Sequence, residues 1–352
     1  MSKSLFDTFK PSSASAWKQK IQVDLKGADY NETLLWKTEE GVVVKPFYTD
    51  DDTVNLNANN TKFDFSISQS IFIDDEKIAN AIALNALKKG ATALEFKASS
   101  TFNYKLLFQQ INLKKTPVYF RFQFLDSEFT NALFNYIDSN KCYLEIDIIG
   151  HLAETGNWYK NLKEDHLEFE KIITHCGNSV GINVSLYQNA GANITQQLAY
   201  ALAHANEYLN YFGSKIAEKI HFNFANGSNY FFEIAKLKAV RVLWNILLKE
   251  YGVKNPTVHI FAQPSLRNKT IYDYNVNMLR TTSECMSAIL GGANTVNNIA
   301  YDAIYHKKNE FGERISRNQL LILQQESYLK EANTFANGSY YIENITHQLA
   351  EN

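Results

Sequence analysis

The side chains able to do chemistry are few and scattered along this chain of 352 residues. Asp147 and His151 stand four apart just past a β-branched run, a spacing that could serve acid–base work at the rim of a β/α fold. A solvent-facing histidine beside an aspartate hydrogen-bonded inside the fold is the plainer reading. His221 and His259 each lie in a short apolar run, next to Phe222 and Ile260, and alternation sends both to one side of a sheet. Metal ligation needs three or four converging donors with support behind them, and no such spacing is visible, so these histidines read as structural. Cys142, Cys176 and Cys285 are odd in number and far apart, which argues against a disulfide framework and against a CxxC zinc or redox site. They read as buried thiols of a reducing compartment. Tyr230-Phe231-Phe232 opens an apolar helical stretch and reads as core packing rather than a stacking platform for a cofactor. Tyr48, in a Pro-Phe-Tyr group, reads as packing of an N-terminal arm.

The elements that must position these groups follow from periodicity. Short β-branched or aromatic runs alternate with longer stretches of helical period, the mark of repeated βα units. Eight strands are expected, at Phe63–Phe72, Ala93–Phe96, Val118–Phe124, Cys142–Ile148, Ile182–Leu186, Ile220–Phe224, Thr257–Phe261 and Asn294–Asn298. The clearest helices are expected at Glu76–Lys89, Asp165–Cys176, Thr195–Tyr211, Tyr230–Lys249 and Asn277–Leu290. In the third of these Leu198, Leu202, Tyr208 and Leu209 recur near helical spacing while Gln197, His204 and Glu207 are expected to face outward; Gly213 supplies a left-handed stop. Along Val118–Phe124 the polar Arg121 and Gln123 alternate with aromatics, and in a closed barrel that polar side points inward. Eight strand–helix pairs suit a parallel (β/α)8 barrel of the TIM type, for which about 250 residues is typical. An open doubly wound sheet would be expected to carry a nucleotide loop, and neither GxGxxG nor GxxxxGK[ST] follows any strand. Residues 1–61 differ in kind and are expected to form an extended arm packed on a partner or on the barrel, with 62–352 as the barrel domain.

Composition sets the outer bounds. A 45% hydrophobic and 13% aromatic content supports a full core, and the net charge of −2 comes from dispersed charges, so no nucleic-acid surface is advertised. No leader-like or membrane-length apolar run occurs, and a soluble cytoplasmic protein is expected.

Ordered segments along most of the chain resemble the barrel domain of the adenosylcobalamin-dependent acyl-CoA mutases, specifically the methylmalonyl-CoA mutase family. They include Glu40-Gly41-Val42-Val43-Val44-Lys45-Pro46-Phe47-Tyr48-Thr49, Tyr187-Gln188-Asn189-Ala190-Gly191-Ala192 with Gln197-Leu198-Ala199-Tyr200, and Phe222-Asn223-Phe224 followed by Glu233 to Trp244. Further on come Leu279-Arg280-Thr281-Thr282, Ala300-Tyr301-Asp302, Arg314 to Gln319, and Gly338 to Glu343. What the resemblance implies is isomerisation of methylmalonyl-CoA and succinyl-CoA, in propionate metabolism, by a radical that adenosylcobalamin supplies.

The departures from the family pattern are equally specific. The family's YHMQEAGA stretch carries a histidine that bonds the substrate carbonyl; matching its AGA to Ala190-Gly191-Ala192 puts Ser185 at its tyrosine and Leu186 at that histidine. The tyrosine, arginines and tryptophan of the run before the family's first strand have no counterpart in Asn60–Ser70, nor does its GTIQNDILKE segment. No DxHxxG loop is present, and with the chain ending at Asn352 no cobalamin-binding domain is expected. The resemblance therefore implies the small, non-catalytic subunit of a heterodimer with a homologous large catalytic chain. No catalytic, cofactor-binding or metal residue is assigned to this chain, which alone is expected to be inactive; adenosylcobalamin belongs to the complex, and binding of an acyl-CoA by this chain is doubtful. The alternative is a catalytic barrel that borrows a separately encoded cobalamin-binding subunit.

Overall fold

The computed structural model describes residues 5, 8–10, 12–54, 64–138, 140–254, 256–331 and 334–352. The expected junction of arm and barrel at 61/62 lies outside the described residues, as do Phe63 and residues 55–60 of the expected loop. Eight strands form one parallel sheet: β1 (Ser66–Phe72), β2 (Ala93–Ala98), β3 (Val118–Phe122), β4 (Cys142–Leu144), β5 (Val180–Asn183), β6 (Ile220–Asn226), β7 (His259–Pro264) and β8 (Thr295–Asn297). Their order is β4-β3-β2-β1-β8-β7-β6-β5. The two ends of that order meet where Leu144 N–H donates to Asn178 O at 2.9 Å and Gly181 N–H to Ile146 O at 3.2 Å. The ring of the expected (β/α)8 barrel is thereby closed. Close approach at this seam needs Gly181, since a Cβ there would sit 2.5 Å from Glu145 Cα and 2.8 Å from His221 Nε2.

Two strands are shorter than alternation suggested. β4 stops at Leu144, and Asp147 caps a helix, Ile148–Thr155, by accepting from Gly150 N–H at 2.8 Å. Ile146 and Ile148 are buried in either geometry, so apolar alternation alone could not separate strand from helix start. Likewise β5 ends at Asn183, and Ser185 and Leu186 belong to a short helix, Ser185–Ala190.

The long helices fall where the 3.6-residue period placed them, at Glu76–Lys88, Leu162–His175, Ile194–Phe212, Tyr230–Glu250 and Val276–Leu290. Gly213, with φ +81°, ends the third of these as expected. Gln197 and His204, expected to face outward from that helix, are buried, whereas Glu207 is exposed. The apolar core lies between strands and helices: Trp244 packs edge-on against Phe222 with ring centroids 5.4 Å apart, and Phe96, Phe108 and Phe120 interlock behind β2 and β3. In the described part of the arm, a hairpin pairs Trp36–Lys37 with Val43–Val44. Val42 is fully buried, Val43 N–H donates to Gln348 Oε1 at 2.9 Å, and Trp36 meets Phe232. Tyr48 lies edge-on to Tyr341 at 5.3 Å. This segment packs on the barrel through the helix Tyr340–Glu351. Among the described residues no helix is long and apolar enough to cross a membrane.

Candidate functional site

Alternation along the strands turns a polar set into the lumen. At its base Tyr119 shares hydrogen bonds with His259 Nε2 and Thr295 Oγ1, both at 2.7 Å. Tyr143 stacks on Tyr119 and on His259, with centroids 4.7 and 4.2 Å away. Phe261 and Ala93 complete this floor. His221 and His259 pair in register on β6 and β7, sharing one side of the sheet as the alternation required. Burial pushes His221 down to about 4. It also pushes His259 well below the ordinary range, with His221 and Arg241 adding to the effect. Both rings are therefore neutral at pH 7.

Above the floor, charges cross the lumen. Arg121 on β3 hydrogen-bonds Glu145 Oε2, just past β4, through Nε at 2.7 Å, and its Nη2 lies 2.6 Å from the same oxygen. It reaches Glu95 on β2 at 3.7 Å, and Lys97 reaches the same carboxylate at 3.4 Å. Burial alone would raise the Glu95 carboxyl, but Lys97 and Arg121, helped by the Ser70 hydroxyl, outweigh it and hold the group below its usual range. Glu145 is raised: burial and the charge of Glu95 exceed what Arg121 returns.

At the C-terminal ends of the strands, where barrels of this type hold their sites, lies a cavity of about 660 Å³. Lys97, Arg121, Asn183, Asn297 and Gln263 line its polar wall, and Leu186, Leu266 and Ile299 its apolar one. A smaller cavity of about 340 Å³ shares Arg121 and Asn183 and adds Glu145, Asp147, His151 and Tyr159. The arrangement can seat a small polar guest between cations and carboxamides.

The residues singled out from the sequence fare differently. His151 does not pair with Asp147 and is only half exposed; its ring stacks on Tyr159 at 3.7 Å. Asp147 is instead the hub of a buried cluster on the barrel wall. It accepts from Tyr208 Oη at 2.6 Å and from Asn183 N–H at 3.1 Å, and lies 3.3 Å from His204 Nδ1. Burial would raise its carboxyl, but His204, Tyr208 and Gly150 N–H together hold it below the usual range. His204 also meets Tyr187 Oη at 2.6 Å. The three cysteines are buried and free; burial raises all of them, Cys176 to about 12. Of Tyr230-Phe231-Phe232, Phe232 is in the core and Tyr230 packs half-buried against it, while Phe231 stays exposed, edge-on to Tyr341. Leu186 lies on the mouth as a wholly apolar side chain. Arg121 was expected on the inward side, but its partners Glu95 and Glu145 and the Asp147–His204 pair were missed from the sequence. The pairs Glu95/Lys97, Arg121/Gln123 and Glu145/Asp147, two apart in or just past apolar strands, carried the signal of a charged lumen.

A family profile described as methylmalonyl-CoA mutase matches residues 98–352. The chain is 32% identical to a methylmalonyl-CoA mutase small subunit of Porphyromonas gingivalis, over 99% of this chain and 62% of that one. A methylmalonyl-CoA mutase of Cereibacter sphaeroides is 27% identical over 96% of this chain and 56% of its own length. The methylmalonyl-CoA mutase large subunit of P. gingivalis is 34% identical over 49% of this chain and 25% of that one. The chain thus spans less than two thirds of the length of these relatives.

Proposed function

The chain belongs to the methylmalonyl-CoA mutase family, and from that premise we propose that it is the small, non-catalytic subunit of a heterodimeric mutase. Its partner is a homologous large chain that carries out the interconversion of methylmalonyl-CoA and succinyl-CoA in the cytoplasm. The observation that carries this reading is the filled lumen: Arg121 bonded to Glu145 and flanked by Glu95 and Lys97 lies across the axis, above a floor of Tyr119, Tyr143 and His259. A thioester threaded down the barrel would have to break buried ion pairs, which costs several kcal/mol for each uncompensated charge. Leu186 supports the same reading, because an alkyl group at the mouth cannot grip a carbonyl as the family's histidine does.

Adenosylcobalamin would supply the radical that starts the rearrangement, and this chain's mouth is poorly suited to hold it. His306, the histidine of that cavity, sits 3.3 Å from the Asp302 carboxylate. In this reading the cofactor is held by the partner. The pairing of small and large subunits by name in P. gingivalis supports a two-chain assembly.

Co-expression with the large subunit encoded in the same genome, followed by sizing and a mutase assay with and without this chain, tests the assignment. A one-to-one complex that turns over, and no turnover from this polypeptide with adenosylcobalamin, is the expected result. Failure to associate with the large chain, or turnover by this barrel once a separate cobalamin-binding subunit is added, would overturn it.

A further inference from the structure

The centre of the barrel holds more acceptors than donors. Four buried oxygens that face the lumen have no hydrogen-bond partner: Ser68 Oγ, Glu145 Oε1, Asn223 Oδ1 and Asn297 Oδ1. Their residues are at least nine-tenths buried, at 4%, 7%, 0% and 3% exposure. Glu95, fully buried beside them, meets its cations only at 3.4 and 3.7 Å. In barrels of this type the side chains of alternate strands share a layer, and Glu95, Glu145, Asn223 and Asn297 come from β2, the end of β4, β6 and β8. Asn223 Nδ2 lies 3.3 Å from Glu145 Oε2, and Asn297 pairs in register with Ser68. Gly181, on the strand between β4 and β6, puts no side chain in the way.

Native proteins rarely leave such atoms unpaired, and a set of this kind calls for a guest. Apart from the Ser68 hydroxyl, the unpaired oxygens can only accept, so the guest brings positive charge or N–H groups. Oxygen-only ligation suits hard cations, while thiolate and imidazole, which softer metals prefer, are absent from the set. Arg121 and Lys97 already balance the charges of Glu95 and Glu145, so a guest cation is met mainly by the oxygen dipoles of Asn223, Asn297 and Ser68, which suits a single positive charge and disfavours a divalent ion. We propose that this layer is a binding site for a monovalent cation of the size of potassium or ammonium, held by Ser68, Glu95, Glu145, Asn223 and Asn297. The raised carboxyl of Glu145 agrees with this, because a cation beside it supplies what Arg121 does not. The cation sets the charged layer that blocks the lumen, so this inference concerns the barrel's own stability and stands whether or not the large subunit binds.

The test is thermal unfolding of the chain after exhaustive dialysis into tetramethylammonium chloride, with potassium, ammonium or sodium exchanged in at constant ionic strength. Potassium and ammonium are each expected to raise the midpoint saturably, by roughly 3 °C, and the bulky tetramethylammonium ion is not. Asn297→Leu and Glu145→Gln are expected to abolish the response. Should either variant fail to fold, crystals of the unaltered chain grown in thallium(I) acetate give an independent readout: an anomalous peak bounded by these oxygens supports the site. Equal midpoints in all four salts, or water alone between the oxygens with no anomalous signal, would overturn it.

Discussion

His221 is fully buried, its one offsetting influence being the Lys219 backbone, and that leaves a measurable acid sensitivity. Its folded value of about 4 lies below the 6.5 of an unfolded histidine. Between those values the unfolded chain binds a proton that the folded chain refuses, so stability falls as pH drops through this window and levels off beneath it. The contribution at stake is about 3 kcal/mol for one such ring. His221→Gln cannot titrate, and its urea midpoint should therefore vary less with pH than that of the unaltered chain between about pH 6.5 and 4. Parallel curves would show that the ring is protonated, or hydrated, in the native state. Leu186 makes a second prediction at this scale. Restoring a donor with Leu186→His leaves the ion-paired lumen intact, so the variant with adenosylcobalamin and methylmalonyl-CoA is expected to show no succinyl-CoA by chromatography. Leu186 was legible because it sits within a matched segment. The partners of Asp147 were not, because His204 and Tyr208 lie 57 and 61 residues away and nothing local announces them.

Helix Tyr230–Glu250 shows how element-level reading succeeds and where it stops. Its apolar period placed it to within one residue of its observed end, yet that period says nothing about Lys236, which is completely buried. The ammonium is held by Glu233 at 2.5 Å, by Gln197 Oε1 at 3.0 Å and by Ala225 O at 2.7 Å, contacts that tie this helix to Ile194–Phe212 and to β6. Gln197 was expected to face solvent for the same reason: a polar side chain whose partner comes from another helix looks like a surface residue when read alone. Lys236→Met should destabilise the fold by about 3–5 kcal/mol, because Glu233 is left buried and uncompensated. Adding Glu233→Gln removes that charge and should recover much of the loss. Guanidinium unfolding of the two single variants and the double variant checks this, and additive losses would mean that the pair is not coupled.

The barrel as a whole is held unequally. β6 and β7 pair over six positions, from His221 with His259 to Asn226 with Pro264. β4 is three residues long, and at the seam it meets β5 through two backbone bonds. Asp147 reinforces that junction, for its carboxylate accepts from Asn183 N–H on β5 while Tyr208 and His204 hold it from the helix behind. The eight-strand ring was readable from the repeat of strand and helix. Its weak point was not, because Ile146, Ile148 and Val184 carry strand-like alternation through positions that leave the sheet beside the seam, Ile148 as the first residue of a helix. Local opening follows the places with fewest buried backbone bonds, so amides of 142–148 and 178–184 should exchange faster than those of β6 and β7. Asp147→Asn keeps one acceptor oxygen but loses the charge that holds the seam, and it should raise exchange in those two segments well before global unfolding becomes measurable. The pH dependence has a definite sign. With the carboxyl held below its ordinary range, its contribution is complete above about pH 4 and is lost as pH falls through the folded value. The difference between the unaltered chain and Asp147→Asn should therefore shrink in acid. Hydrogen exchange by mass spectrometry at two pH values settles this, and equal protection of the seam and the β6–β7 pair would mean that the ring opens as one unit.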